Sequence, residues 1–263
     1  MSETIRVLMI GDVVGKSGCV AVFTRLKTLK KRMNADLCVL NGENATEGHG
    51  ITPDVLNMFY QSGADIITSG NHIWQKKEIY PFLNSDKRLL RPENYPAGVD
   101  GKGVTQVTVG DKTVAVLNLQ GLCELPNIRS PFAVGKEVVQ RLRNKCNIII
   151  IDFHAESTAE KEALGIYLDG QVSVVAGTHT HIQTADERIL PNGTAYISDI
   201  GMTGARDSVL GMDPAIIIKK NLTQMPLKME TSHNNADIMG ILCVIDANSG
   251  KSLSIERVVD RSF

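Results

Sequence analysis

Short apolar runs alternate with amphipathic stretches along the first part of this chain. Residues 5–10 read as a buried strand that stops at Gly11-Asp12. Phe23, Leu26 and Leu29 then recur at helical spacing. A second strand is predicted at 37–40 and ends in Asn41-Gly42-Glu43-Asn44. Thr52-Pro53 opens a helix, with Thr as N-cap and Pro at the first helical position. Val55, Met58 and Phe59 give that helix its apolar face. A third strand, 66–69, stops at Gly70-Asn71-His72. This alternation predicts an α/β fold whose sheet is parallel or mixed, with crossover helices.

The rhythm then changes. Residues 104–109 and 113–119 alternate in strand fashion around Gly110-Asp111, which predicts a hairpin. A helix is predicted at 133–143. Four isoleucines at 148–151 make the most apolar strand and lead into Asp152-Phe153-His154. A charged helix follows over 157–168, with Ser157 as N-cap and Glu160 completing a capping box. The strand at 172–176 ends in Gly177-Thr178-His179-Thr180-His181, and 194–200 is strand-like. A last hairpin joins 238–245 to 252–259 through Asn248-Ser249-Gly250. Stretches 120–130 and 201–235 are polar, contain Gly and Pro, and read as loops bordering an active site or a subunit contact. Residues 1–263 are expected to form one domain.

Composition narrows the function classes. A net charge of −1 argues against a long basic nucleic-acid track. The basic stretch Lys27 to Arg32 suits the end of a helix, where cations complement the dipole. The five cysteines are scattered and form no CxxC pair, which predicts reduced thiols acting mostly as small core residues. The opening residues show no basic segment followed by an apolar stretch, and no apolar run approaches the ~20 residues of a membrane span. The expectation is a cytoplasmic protein with no membrane contact.

The polar tips of these strands carry the chemistry. Asp12, Glu43, Asn71, His154, His179 and His181 are oxygen and imidazole donors, and each follows an apolar run. Each has an ordinary reading alone: Asp12 as a cap, Glu43-Asn44 as solvent-facing loop, Asn71-His72 as a turn. His154 is harder to place on a surface, because its strand reads as central. Open α/β sheets gather their sites at strand C-termini. On an extended chain His179 and His181 would point the same way, since side chains alternate with period two. The set matches what a two-metal hydrolase needs, with ions ~4 Å apart activating water and stabilising charge on phosphorus.

The order Gly11-Asp12-Val13-Val14-Gly15, Asn41-Gly42-Glu43-Asn44, Ser69-Gly70-Asn71-His72-Ile73-Trp74, Asp152-Phe153-His154-Ala155-Glu156 and Gly177-Thr178-His179-Thr180-His181 resembles the calcineurin-like metallophosphoesterases. The resemblance is closer to their bacterial YmdB-like branch and covers essentially the whole chain. It implies a four-layer αββα sandwich. It also implies one metal on Asp12, Glu43 and His181, and another on Glu43, Asn71, His154 and His179, with Glu43 bridging and Asn44 able to join the first. His72 would be no ligand but the general acid for the leaving oxygen, while a metal-bridging hydroxide attacks. The implied metals are two divalent or trivalent ions, iron or manganese. The implied substrates are cyclic nucleotides, above all 2′,3′-cyclic ones, and the implied assembly is a homo-oligomer. Two positions depart from the wider superfamily: Val14 stands where a His is usual, and Glu43 where the bridging Asp is usual. They narrow the reading to the branch and weigh against general protein-phosphatase activity. Phosphomonoesterase action, cleavage at short RNA ends, and nucleotide binding without turnover are the alternatives. His49 is read as a loop residue that can border the pocket, and His233 as surface. Trp74 and Tyr80 are read as core packing rather than a base-stacking platform.

Overall fold

A computed structural model describes residues 3–261. The elements in chain order are strand β1 (Thr4–Ile10), β2 (Asp12–Val13), helix α1 (Gly15–Arg32), β3 (Leu37–Asn41), α2 (Pro53–Gln61) and β4 (Ile66–Thr68). Two single-turn 3-10 segments, Asn71–Trp74 and Lys77–Ile79, lead into α3 (Tyr80–Ser85). Then come β5 (Val104–Val109), β6 (Lys112–Gln120), α4 (Pro131–Arg143), β7 (Ile148–His154), α5 (Thr158–Tyr167) and β8 (Val174–Thr178). The chain continues through β9 (Arg188–Ile189), β10 (Ala195–Ile197), β11 (Met202–Ala205), α6 (Pro214–Thr223), β12 (Ala236–Asp246) and β13 (Ser252–Asp260).

The strands form two sheets. The first runs β2-β11-β12-β1-β3-β4, with β13 also on β12; the second runs β5-β6-β7-β8-β10-β9. Strands β1, β3 and β4 are mutually parallel in the first sheet. Strands β6, β7, β8 and β10 are parallel in the second. Both sheets are mixed, because β12 runs antiparallel to β1 and β5 antiparallel to β6.

Three apolar layers show how the sheets stack. Val7, Met9, Val39 and Ile241 of the first sheet pack against Val116, Ile150, Val174 and Ile197 of the second. Leu8, Leu40 and Ile67 face the other way, onto Leu26, Leu29 and Phe59 of α1 and α2. Leu117, Ile149, Ile151 and Phe153 face α4 and α5 through Val138, Leu142 and Leu164. The result is the four-layer αββα sandwich.

Strand periodicity carries this arrangement into the site. In β7, Ile148 and Ile150 point between the sheets while Ile149, Ile151 and Phe153 point to the helices. Each buried isoleucine is worth about 1.5–3 kcal/mol over an exposed one. The same alternation turns Asp152 and then His154 into the space between the sheets. Asn41, Thr68, Asn118 and Thr178 continue that face on the neighbouring strands and are likewise buried. A polar tier therefore closes one end of the central layer.

Four local expectations need correction. Phe23 is 62% exposed, and Val22 takes its place beside Leu26 and Leu29 in the core. Thr52 occupies the N-cap position of α2, but its side chain accepts no capping hydrogen bond. Ser157 does cap α5, whereas Glu160 turns away and accepts from the Leu122 amide at 3.0 Å, so no reciprocal box forms. The stretch 201–235 is not all loop, since it contains β11 and α6. Strand β11 escapes a periodicity reading because it is a short, fully buried run with a central Gly204. Helix α6 escapes because none of its residues is buried.

Candidate metal centre

The predicted ligand residues sit at the C-terminal ends of parallel strands from both sheets. His154 ends β7, and Glu43 and Asn71 follow β3 and β4. His154 Nε2 lies 3.1 Å from Glu43 Oε1, 3.2 Å from Asn71 Oδ1 and 3.0 Å from His179 Nδ1. Glu43, His154 and His179 offer donor atoms that all lie within 4.8 Å of one another. Glycine at position 70 is required by this crowding. A Cβ there would stand 2.3 Å from Glu43 Oε2 and 2.2 Å from His154 Cδ2.

The polar tier orients these groups. Thr178 donates its hydroxyl to Asp152 Oδ1 at 2.7 Å and stands 3.0 Å from His154 Nδ1. With its proton committed to Asp152, Thr178 accepts from Nδ1–H, which leaves His154 Nε2 free to ligate. Asp152 also accepts from the Asn41 amide at 3.0 Å, and burial pushes its carboxyl up to about 6. Glu156 lies 3.2 Å from His179 Nε2, so a carboxylate turns that ring's Nδ1 inward. Neither Asp152 nor Glu156 is among the predicted site residues. Their signal was their place in the Asp152-to-Glu156 run, beside His154.

The second predicted group is more open. Asp12 is fully buried; its Oδ2 accepts from the His179 amide at 3.1 Å. Its Oδ1 accepts no hydrogen bond among the described residues and lies 3.7 Å from His154 Nδ1. His181 Nδ1 lies 3.0 Å from the Leu210 carbonyl, and its Nε2 lies 3.1 Å from Asn44 Nδ2. Asn44 Oδ1 in turn lies 2.8 Å from His72 Nδ1. The tautomers follow from the acceptors: Leu210 takes His181 Nδ1–H, Asn44 donates to His181 Nε2, and His72 donates Nδ1–H to Asn44. His72 also lies 3.2 Å from Glu43 Oε1, and its amide donates to Glu43 Oε2 at 3.1 Å. Its Nε2 has no hydrogen-bond partner among the described residues, and His72 lines the cavity.

The expectation that His179 and His181 share a direction by strand alternation is not met. Strand β8 ends at Thr178, and both histidines adopt left-handed backbone, φ +97° and +66°. They line one cavity but reach different partners. The bend is held from below by Asp199. Its carboxylate accepts from the Thr180 amide at 3.1 Å and the Thr180 hydroxyl at 2.8 Å, and pairs with Lys161 Nζ at 2.8 Å. The Lys161 and Asp199 side chains are 2% and 1% exposed. Removing one partner of a buried pair strands the other charge, a cost of about 3–5 kcal/mol. Lys161→Met is therefore expected to lower the unfolding temperature clearly, and adding Asp199→Asn to recover much of the loss. Equal melting curves for Lys161→Met and the parent would refute this.

Electrostatics fit a cation at this place. Burial raises the Asp12 carboxyl despite the facing imidazoles. Burial also opposes ionisation of Glu43, but His154 and His72 outweigh it and hold that carboxyl well below the ordinary range. Against its own burial, His154 is pushed up to about 9 by Glu43 and Asp12. Burial, with the charge of His154 beside it, lowers His179 to about 3. The place between Glu43 and Asp12 thus favours positive charge, which a metal ion would supply. The orphaned Asp12 Oδ1 and the close approach of Glu43 and His154 that Gly70 permits point the same way. A mixed nitrogen and oxygen donor set suits Mn, Fe, Co or Zn.

The cavity over these groups measures about 330 Å³ and is lined by His49, His72, His179 and His181, among others. The His49 and His72 rings meet edge to face at 4.9 Å. Trp74 and Tyr80 pack on the α1–α2 core instead. A larger groove of about 420 Å³, lined by Lys16, Arg25 and His233, holds none of the ligand residues.

A two-sheet sandwich with carboxylate, amide and imidazole donors gathered at its strand ends defines an enzyme of the metallophosphoesterase class, a phosphoric ester hydrolase. The chain belongs to the YmdB-like protein family, whose model matches residues 8–258. It is 46% identical over 254 residues to the 2′,3′-cyclic-nucleotide 2′-phosphodiesterase of Bacillus subtilis (strain 168), covering 97% of this chain and 96% of that protein. A crystal structure of a protein from Thermus thermophilus superposes with a TM-score of 0.93 at 34% identity, covering 98% of this chain and all of the other. The crystal structure of a phosphatase from Mycoplasma pneumoniae gives 0.92 at 34% identity, covering 100% of this chain and 96% of the other. Among the described residues, no helix is long and apolar enough to cross a membrane.

Proposed function

We propose that this chain hydrolyses nucleotide phosphodiesters, with 2′,3′-cyclic nucleotides as the preferred class, at a centre of two metal ions. The observation that carries this reading is the meeting of Glu43, Asn71, His154 and His179 beside an unpartnered Asp12 oxygen, with His72 left over at the cavity wall. The name of the Bacillus subtilis relative supports the substrate class.

Glu43, Asn71, His154 and His179 would hold one ion, and Asp12, Glu43 and His181, with Asn44 at hand, the other. When bound, the ions supply Lewis acidity toward phosphoryl oxygen and a water acidic enough to act near neutral pH. The chain's own residues do the rest. Asp152 through Thr178, and Glu156 directly, keep the ligand imidazoles turned to the centre. Asn44 takes the Nδ1 proton of His72 and so aims Nε2 at the cavity. A proton on that Nε2 can pass to the departing ribose oxygen as the bond to phosphorus breaks. The three apolar layers run through the same two sheets, which supports reading residues 1–263 as one domain.

The test is direct. Protein purified without chelator should contain iron or manganese and should open 2′,3′-cyclic AMP to a nucleoside monophosphate. Dialysis against a chelator should abolish turnover, and Mn²⁺ should restore it. No turnover with any divalent metal would sink the reading.

A further inference from the structure

The cavity has two unlike walls. The proposed chemistry uses the one that carries His72, His179 and His181. The other is apolar, adjoins the first at His181, and is built by Val209, Leu210, Met212 and Ile217. Val209 and Leu210 are 38% and 44% exposed, so their apolar surface faces water at the mouth of the site.

Backbone geometry singles out Leu210. Val209 and Met212 exchange both backbone hydrogen bonds, each 3.0 Å, and so close a two-residue turn. Its central residues have φ of +53° at Leu210 and +91° at Gly211. Two left-handed centres in this setting favour Asn-Gly, because asparagine tolerates that backbone and a bulky apolar residue does not. Among the described residues with left-handed backbone other than glycine, Leu210 is the apolar one, and it stands half-exposed at the rim of the reactive cavity. A strained residue at such a place points to use. The turn is also fixed from several sides. His181 donates to the Leu210 carbonyl at 3.0 Å, and the Gly211 amide donates to the Ser208 hydroxyl at 2.9 Å. Val14 packs against Gly211 so closely that no Cβ would fit there. The position where the wider superfamily carries a histidine thus supports this turn.

We propose that Leu210, with Val209 and Met212, forms the shelf on which the base of a nucleotide substrate lies while its phosphate meets the ligand end. This rests on the nucleotide phosphodiesterase reading. The volume of about 330 Å³ is at the lower end for small-molecule sites and admits one nucleoside phosphate. The three side chains offer no hydroxyl, amide or charge, so the shelf adds affinity for any flat base and selects weakly among bases. The bond between His181 and the Leu210 carbonyl keeps the shelf at a set distance from the reacting end.

Leu210→Asn is the informative variant, because asparagine suits the left-handed position and should leave the melting temperature equal or higher. Three ligands are compared on the metal-loaded enzyme: 2′,3′-cyclic AMP, glycerol 1,2-cyclic phosphate, which has the five-membered cyclic diester and no base, and adenosine 3′-monophosphate by calorimetric titration. The KM for cyclic AMP should rise about fivefold to tenfold, the loss of one apolar contact, with kcat within about twofold. The glycerol substrate should change less than about twofold, and the monophosphate should bind more weakly by the same factor as cyclic AMP. An unchanged KM for cyclic AMP overturns the shelf. So does an equal rise for both cyclic substrates, which would trace to a disturbed His181. If the parent enzyme opens neither cyclic diester, the phosphodiesterase reading fails by itself. The monophosphate titration then decides: weaker binding by the variant upholds the shelf, and equal binding removes it.

Discussion

Glu43→Gln is expected to leave the protein folded while removing its bound metal and, with it, phosphodiester hydrolysis. Glu43 is fully buried and is the carboxylate that touches both His154 and His72. In the proposed centre it is the one side chain shared by both ions. Glutamine keeps the shape, so packing against Gly70 survives, but it lacks the charge that balances a cation. Disturbing a partner that merely supports a ligand costs about 10–100-fold in metal affinity or activity. Loss of the shared ligand should exceed that. Metal content by mass spectrometry and turnover of 2′,3′-cyclic AMP should fall together, with circular dichroism unchanged. A variant that keeps two metals per chain and most of its activity would show that Glu43 does not bridge.

His72→Ala should behave in the opposite way. Its Nδ1 is committed to Asn44 Oδ1, and its Nε2 is left to the cavity. General acid catalysis is worth about 10²–10⁴-fold, so kcat on 2′,3′-cyclic AMP should fall by that factor while metal content stays. The loss should depend on the leaving group. Nitrophenolate departs without a proton, so bis-p-nitrophenyl phosphate should lose much less than cyclic AMP. An equal loss on both substrates would mean that His72 acts on binding or on the ligands. Loss of metal would mean that it is itself a ligand.

Much of the candidate site was legible because strand periodicity and strand ends are local features. The isoleucine run before His154 announces a central strand, and alternation through Asp152 turns His154 to the same side as Ile148 and Ile150. The parallel strands β3, β4, β7 and β8 bring their C-terminal ends together, which is why residues so far apart in the chain gather at one place. Asp199 was not legible as a site residue, and Glu156 only through its place in the run that holds His154. Their roles arise from contacts with His179 and with Thr180 and Lys161, and such contacts have no spacing rule. The histidine pair was legible as a pair but not in its geometry. Strand β8 stops one residue before it, and Asp199 bends the chain there.

By itself, the sequence determined the α/β class, the family and which residues are the candidate donors, because apolar periodicity and motif order are written along the chain. Only the tertiary structure decided that Asp12 of one sheet stands 3.7 Å from His154 of the other, that Lys161 is a buried strut, and that Leu210 looks into the cavity. Those facts depend on how two sheets stack and how loops close over their ends. Periodicity states which face of a strand is buried, but not which distant residue it will be buried against.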